Sequence, residues 1–241
     1  MKAMRVLDID LDFFLADCCP LAAEGERPTL RGHEPWAPET VRRYLEENLG
    51  LSKTNKIPGR VFPTHDGALL LWQEQVTEGR LTVPFSVTHV DAHSDLGIGR
   101  PGPGYVLNTL LAQPLPLRRD FSRHYGLKQL DEANYLLFAL ACRYVSSLEN
   151  IRNLKSRPDI PKEILKPGEP DRILLASLPA RLMAGVNGPE GEIPFSVYEN
   201  PFAYRAPGEP FSLMSLAISP RYAPKEADNL VAVIEEYMLP V

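Results

Sequence analysis

The chain has little of what staples, threads or coats a protein. Its 241 residues hold three cysteines, Cys18, Cys19 and Cys142. They form no CxxC pair, and neighbouring Cys18 and Cys19 are ill suited to a mutual bridge. Neither a disulfide framework nor a thiolate zinc site is therefore expected. No apolar run approaches about 18 residues, so no membrane-spanning helix is expected. Asp8, Asp10 and Asp12 interrupt any apolar signal core at the N-terminus, which points to a soluble, cytoplasmic protein. Lys and Arg do not cluster and the net charge is −5, which argues against nucleic acid as a partner. Histidine is scarce too: His33, His65, His89, His93 and His124 are all there are.

The 44% hydrophobic content suits one large domain over residues 1–241. Two short stretches break the ordinary pattern of its core. In His89-Val90-Asp91-Ala92-His93-Ser94-Asp95, three metal-ligating residue types stand at alternate positions after the β-forming Phe85–Val90. Alternate residues of a strand share a face. In Leu7-Asp8-Ile9-Asp10-Leu11-Asp12, apolar residues take one face and three carboxylates the other. Like charges side by side destabilise a sheet, and an unpartnered buried carboxylate costs roughly several kcal/mol. A divalent cation is the simplest partner for both stretches.

The coarse order of elements agrees with a site at strand ends. Residues 4–14 read as a buried strand and 15–37 as an irregular loop. A helix is expected over 38–49, a short strand over 59–63 and a helix over 68–75. The last pair puts His65 at the carboxyl end of a strand, where open α/β sheets hold ligands. A strand over 82–91 leads into the Asp-His-Asp stretch, followed by a glycine-rich loop over 97–104. Leu136, Leu137, Leu140 and Tyr144 suggest a long helix over 127–148. A strand over 172–178, a loop over 186–211, a strand over 212–219 and a helix over 223–237 complete the chain. Alternating strands and helices imply a three-layer α/β/α fold around a mostly parallel sheet.

The expected ligands are Asp10, Asp12, His65, Asp91, His93 and Asp95. Asp8 is an alternative to Asp12, although the carboxyl end of the strand favours the later pair. His89 shares the face of Asp91 but sits deeper, where a supporting role fits better than direct ligation. Two imidazoles and four carboxylates without thiolate favour Mn²⁺ over Zn²⁺ or Cu²⁺. Four carboxylates balance two divalent ions, so two Mn²⁺ are expected.

His89–Asp95 resembles the Asp-Ala-His-x-Asp signature of the ureohydrolases, which include arginase, agmatinase and formiminoglutamase. Leu7–Phe14 at the start and Leu216–Tyr222 near the end resemble a small arginase–deacetylase-like family that includes the peptide arginases. Here the Asp-rich strand precedes the Asp-Ala-His-x-Asp strand, the reverse of ordinary arginases. The ureohydrolase Gly-Gly-Asp-His turn is absent, and Thr64-His65-Asp66 stands in for it. The resemblance implies an arginase–deacetylase-like fold and hydrolysis of arginine to ornithine and urea within a precursor peptide. It also implies that Asp95 orients the attacking hydroxide and that His124 or, less directly, His33 carries protons. Asn134, in a recurring Asn-Tyr-Leu, would line the site.

A guanidinium substrate calls for a facing carboxylate. Glu199 is the candidate carried forward; Glu190, Glu192, Asp66 and Glu34 are others. Trp36 and Trp72 read as packing residues. Two further readings stand beside the first: a one-metal amidohydrolase of the deacetylase type, and a non-catalytic peptide-binding member of the fold. A homo-oligomer stays open.

Overall fold

The computed structural model describes residues 4–97, 102–177 and 190–241. Among them the strands are β1 (Arg5–Asp10), β2 (Ile57–Phe62), β3 (Phe85–Asp91), β4 (Val145–Arg152), β5 (Leu165–Lys166), β6 (Glu169–Ile173), β7 (Ile193–Tyr198), β8 (Leu213–Ala217) and β9 (Met238–Pro240). They form one sheet in the order β5-β6-β7-β4-β3-β1-β8-β2-β9. From β7 to β9 every neighbour is parallel. β5 and β6 are antiparallel additions at one edge.

Alternation along β1 sets the layers. Leu7 and Ile9 enter an apolar core with Val90, Leu216 and residues of the helices Pro38–Glu47 and Asn229–Glu235. Val6 enters a second core with Val87, Trp72 and the helix Tyr135–Ala141. With helices on both faces, β1 is buried from end to end, as expected for a central parallel strand. Asp8 and Asp10 share the Val6 face. No helix is long and apolar enough to cross a membrane, among the described residues.

Both acidic stretches leave strand geometry sooner than the alternation predicts. β1 ends at Asp10, and Leu11–Phe14 wind into a short 3₁₀ turn. The Asp10 carboxylate accepts the Asp12 N–H at 3.0 Å and so caps that turn. β3 ends at Asp91, whose Oδ1 accepts the His93 N–H at 2.6 Å. Asp95 lies in the left-handed region at φ 51°, which Asp tolerates better than most residues. Two capped turns, not two continuous strands, present the carboxylates.

The long helix over 127–148 is the largest correction. A turn is followed by the short helix Tyr135–Ala141, then by left-handed Arg143 at φ 58°, then by β4. Leu136, Leu137 and Leu140 do lie on that short helix, but Tyr144, at helical spacing from Leu140, stands beyond its end and leads into β4. β7 and β9 occupy segments that read as loop and chain end. The glycine loop 97–104 and the strand end at 178 lie partly outside the described residues.

Candidate metal centre

The parallel strands converge at their carboxyl ends on one side-chain cluster. Asp8 pairs in register with His89 of β3 and with Ser215 of β8. Asp10 pairs with Ala217. His65 follows β2, one strand further out, and reaches across the end of β8 to β1. Its turn is held by Gly67, where a Cβ would lie 2.5 Å from the Phe62 ring. Glycine is therefore required for the chain to turn back on the strand it has just left.

His65 Nδ1 sits among three carboxylates. It lies 3.0 Å from Asp91 Oδ2, 3.0 Å from Asp95 Oδ2 and 3.3 Å from Asp10 Oδ2. His93 Nδ1 lies 2.9 Å from Asp12 Oδ2 and 3.6 Å from Asp91 Oδ1. Among the described residues four groups of donors lie close enough to share an ion: Asp8, His65 and His89; His89, Asp91 and Asp95; and, holding five of the expected ligands, Asp10, His65 and Asp91 in one and Asp12, Asp91 and His93 in the other. Asp91 belongs to both, and each set has its own imidazole. All six expected ligands are thus brought together.

Asp8 and His89 lie beneath. Asp8 accepts hydrogen bonds from Ser215 Oγ and from Tyr135 OH, the latter at 2.5 Å. His65 Nε2 is 3.2 Å and His89 Nδ1 3.3 Å from Asp8. Asp8 thus lies behind both imidazoles, while Asp12 lies beside His93 at the outer side of the cluster. Ser219 Oγ likewise donates to Asp10 Oδ2.

The cluster is a buried charge problem. Burial pushes Asp12 up, and Asp10 and Asp91 push it further. Burial and Asp91 raise Asp95 to about 7. For Asp91, burial is outweighed by the adjacent His65 and His93 imidazoles, which hold it well below the usual range. Burial would lower His65 and His93, but Asp8 raises the first and Asp12 the second. Protons on the histidines thus offset the carboxylates where no cation does so.

The donors themselves fit a metal ion. His65 Nδ1, His65 Nε2, His89 Nε2 and Asp91 Oδ2 are buried with no hydrogen-bond partner, a costly state that a cation relieves. Donors about 2.1 Å from one ion and at right angles stand about 3.0 Å apart, which is the spacing around His65 Nδ1. The oxygen-rich set is that of a hard cation. The buried Asp and His groups can therefore hold a metal ion.

A cleft opens over the cluster, lined by His93, Asp95, Glu132, Ser219 and Tyr222 among others. His93, 35% exposed, is the most accessible of the expected ligands. Tyr222 packs on its ring with centroids 4.9 Å apart. Glu132 and Asp159 are the carboxylates of the lining outside the donor groups, and Asp159 is paired with Arg152. Burial and the charges of Asp10 and Asp66 raise Glu132 to about 7.

Three expectations are corrected. His124 is fully buried, bonded through Nδ1 to Tyr105 OH and through Nε2 to the Leu117 and Arg118 carbonyls. It does not line the cleft and holds loop backbone instead of carrying protons there. Asn134 is also buried; it accepts the Asp131 N–H at 3.0 Å and donates to the Gln129 carbonyl at 2.8 Å. Its amide closes a turn ahead of a helix and does not line the cleft. Glu199 is exposed after β7 and outside the cleft lining. Glu190 pairs with Arg118 and Arg143, Glu192 with Lys166, and Asp66 with Tyr125 OH.

Glu132, Tyr222 and Ser219 were missed. Glu132 stands two places before Asn134, in the same stretch, and no spacing rule separates them. The serines had a fainter signal: Ser215, Ala217 and Ser219 alternate, small and polar, at the end of the last parallel strand but for β9. Trp36 and Trp72 pack in aromatic clusters, as expected. No protein-family model and no characterised protein sequence matches this chain, so the geometry of the site itself carries the assignment of its chemistry.

Proposed function

We propose that the protein is a manganese-dependent ureohydrolase of the arginase–deacetylase type that converts arginine residues of a peptide to ornithine, releasing urea. The observation that carries this reading is the pair of donor sets joined at Asp91, each with one imidazole, beneath an open cleft. Asp10, His65, Asp91 and Asp95 would hold one ion, and Asp12, Asp91 and His93 the other. Two divalent cations held there would activate water as a nucleophile near neutral pH.

The chain's own groups supply the rest. Glu132 faces the cluster across the cleft and, ionised, pairs with the planar cation of the arginine side chain. That pairing points the guanidinium carbon at the attacking water. Asp95, whose Oδ2 reaches His65 Nδ1 at 3.0 Å on the cleft side of the cluster, would take the proton that water gives up and return it to the departing nitrogen. A C–O bond forms at the guanidinium carbon and the bond from that carbon to the side-chain nitrogen breaks. Ornithine leaves as its ammonium and the carbon leaves in urea, so charge and atoms balance. Peptide over free arginine rests on the resemblance of Leu7–Phe14 to the peptide arginases.

Arginine-containing peptides incubated with protein and Mn²⁺ test this by mass spectrometry. The expected product has lost one carbon and two nitrogens per modified arginine. Unchanged peptides across a broad library, with metal bound, would sink the reading. Counting metal also separates it from a one-metal amidohydrolase, whose stoichiometry would be a single ion per chain.

A further inference from the structure

The loop that leaves β4 turns three polar side chains inward at a spacing of three: Asn153, Ser156 and Asp159. Leu154, Lys155, Arg157 and Pro158 between them are exposed. Buried Arg152, the last residue of β4, fixes the loop from inside. It pairs with Asp159 at 2.9 Å and donates to the Arg157 carbonyl at 3.0 Å.

Each inward side chain holds backbone of an acidic stretch. Asn153 Nδ2 donates to the Phe13 and Leu15 carbonyls, both at 2.8 Å, at the end of the 3₁₀ turn that carries Asp12. Ser156 Oγ donates to the Ala92 carbonyl at 2.8 Å. Asp159 accepts the Ser94 N–H at 2.8 Å, and Ser94 Oγ donates back to the Asp159 carbonyl at 3.1 Å. His93 is therefore gripped through both of its neighbours. Ala92 also donates its N–H to Asp12 Oδ1 at 3.3 Å, so the residue that Ser156 steadies is the one that positions Asp12.

Asp12 and His93 are the two ligands peculiar to the outer donor set; the third, Asp91, is shared with the inner set of Asp10, His65 and Asp91. The inner set is held by other elements. Ser219 donates to Asp10, and Asp8 lies 3.2 Å from His65. Different parts of the chain thus anchor the two sets. Contacts that hold ligands in place before an ion arrives raise the affinity for that ion.

We propose that Asn153, Ser156 and Asp159 are positioning residues for the outer metal ion, and that this loop sets its affinity independently of the inner one. The inference rests on the two-ion part of the reading above and adds to it the segment that tunes one ion alone.

The test titrates metal-free full-length protein, wild type, Ser156→Ala and Ser156→Thr, with Mn²⁺ alone, and reads free Mn²⁺ by its EPR signal. Crystals grown at limiting and saturating Mn²⁺ assign each ion by anomalous scattering. Ser156→Ala should weaken the outer ion by about tenfold and leave the inner Kd unchanged. The threonine hydroxyl should restore the outer ion. Asp159→Ala, which frees the Ser94 N–H, should weaken the same ion. A part in folding alone would weaken both ions together, so equal loss at both sites overturns the inference, as does no loss at either. A single ion in the wild type sinks the two-ion reading, and the outer site with it. Urea release has no part in these outcomes, so the hydrolytic chemistry can fail while the positioning role stands.

Discussion

Asp8 and His65 meet at 3.2 Å, Oδ1 to Nε2, underneath the carboxylate cluster that faces the opposite ring nitrogen. One imidazole is thus held from below by one carboxylate while its other edge looks into three. Partners of this kind fix the orientation of a ligand and raise its basicity. Asp8→Asn keeps the shape and removes the charge. Metal affinity should fall by about 10- to 100-fold, with the stoichiometry at saturation unchanged. Chelator competition gives the affinity; a drop of one ion per chain at saturation would make Asp8 a ligand instead.

His65→Ala removes the single imidazole of one donor set. Metal content should drop from two ions per chain toward one, and activity should vanish. Anomalous scattering at the manganese edge reads the occupancy directly. Two full sites in the variant would mean that His89, stacked on His65 with centroids 5.1 Å apart, had taken its place.

Without metal, the protein should lose stability as pH rises from 5 to 8. Asp95 is raised from 3.8 to about 7, so the folded state binds a proton that the unfolded chain has released, and this contribution fades toward pH 7. His65 is raised as well; its stabilising proton is in place below the unfolded value and is lost only above it. Asp91, held low, contributes evenly through this range. More protons on the folded than on the unfolded chain give a negative slope of stability against pH. Melting temperature in chelator should therefore be lower at pH 8 than at pH 6. Mn²⁺ should raise it most at pH 8, and a flat or rising metal-free profile would contradict the charge layout.

Glu132→Gln should leave metal content intact and raise KM for arginine peptides by about 10- to 100-fold, the loss of a charge-assisted pair of roughly 1.5–3 kcal/mol. Parallel metal analysis and steady-state kinetics decide it. An unchanged KM would free Glu132 from any part in recognising the substrate.

The donor residues were legible because each belongs to a short, local pattern of unusual chemistry. Asp91, His93 and Asp95 stand out in any sheet, as do three alternating aspartates among Leu7, Ile9 and Leu11. The sheet's parallel character was legible for the same reason: β1, β3 and β8 read as apolar strands separated by helical stretches. What the pattern concealed was depth. His124 and Asn134 have the chemistry of a site, but tertiary packing spends their polar atoms on backbone. Glu132 has ordinary chemistry, and only the turn ahead of Tyr135–Ala141 aims it at the cleft. β4 was hidden because Tyr144 continues the helical spacing of Leu136, Leu137 and Leu140 past the end of their helix and up to the start of the strand.

β8 lies between β1 and β2, so whatever its side chains occupy is denied to His65 and the aspartates. Its residues on that side are Ser215 and Ala217, followed by Ser219. The two serines donate to Asp8 and Asp10, while Ala217, in register with Asp10, stays small. The early Asp-x-Asp and the late Ser-x-Ala-x-Ser are therefore two halves of one fingerprint, about 200 residues apart. Drift at 217 should stop at the smallest side chains, and the serines should change only when the facing aspartates do. Kin of this chain should be traceable by that long-range pairing even where the sequence between has diverged.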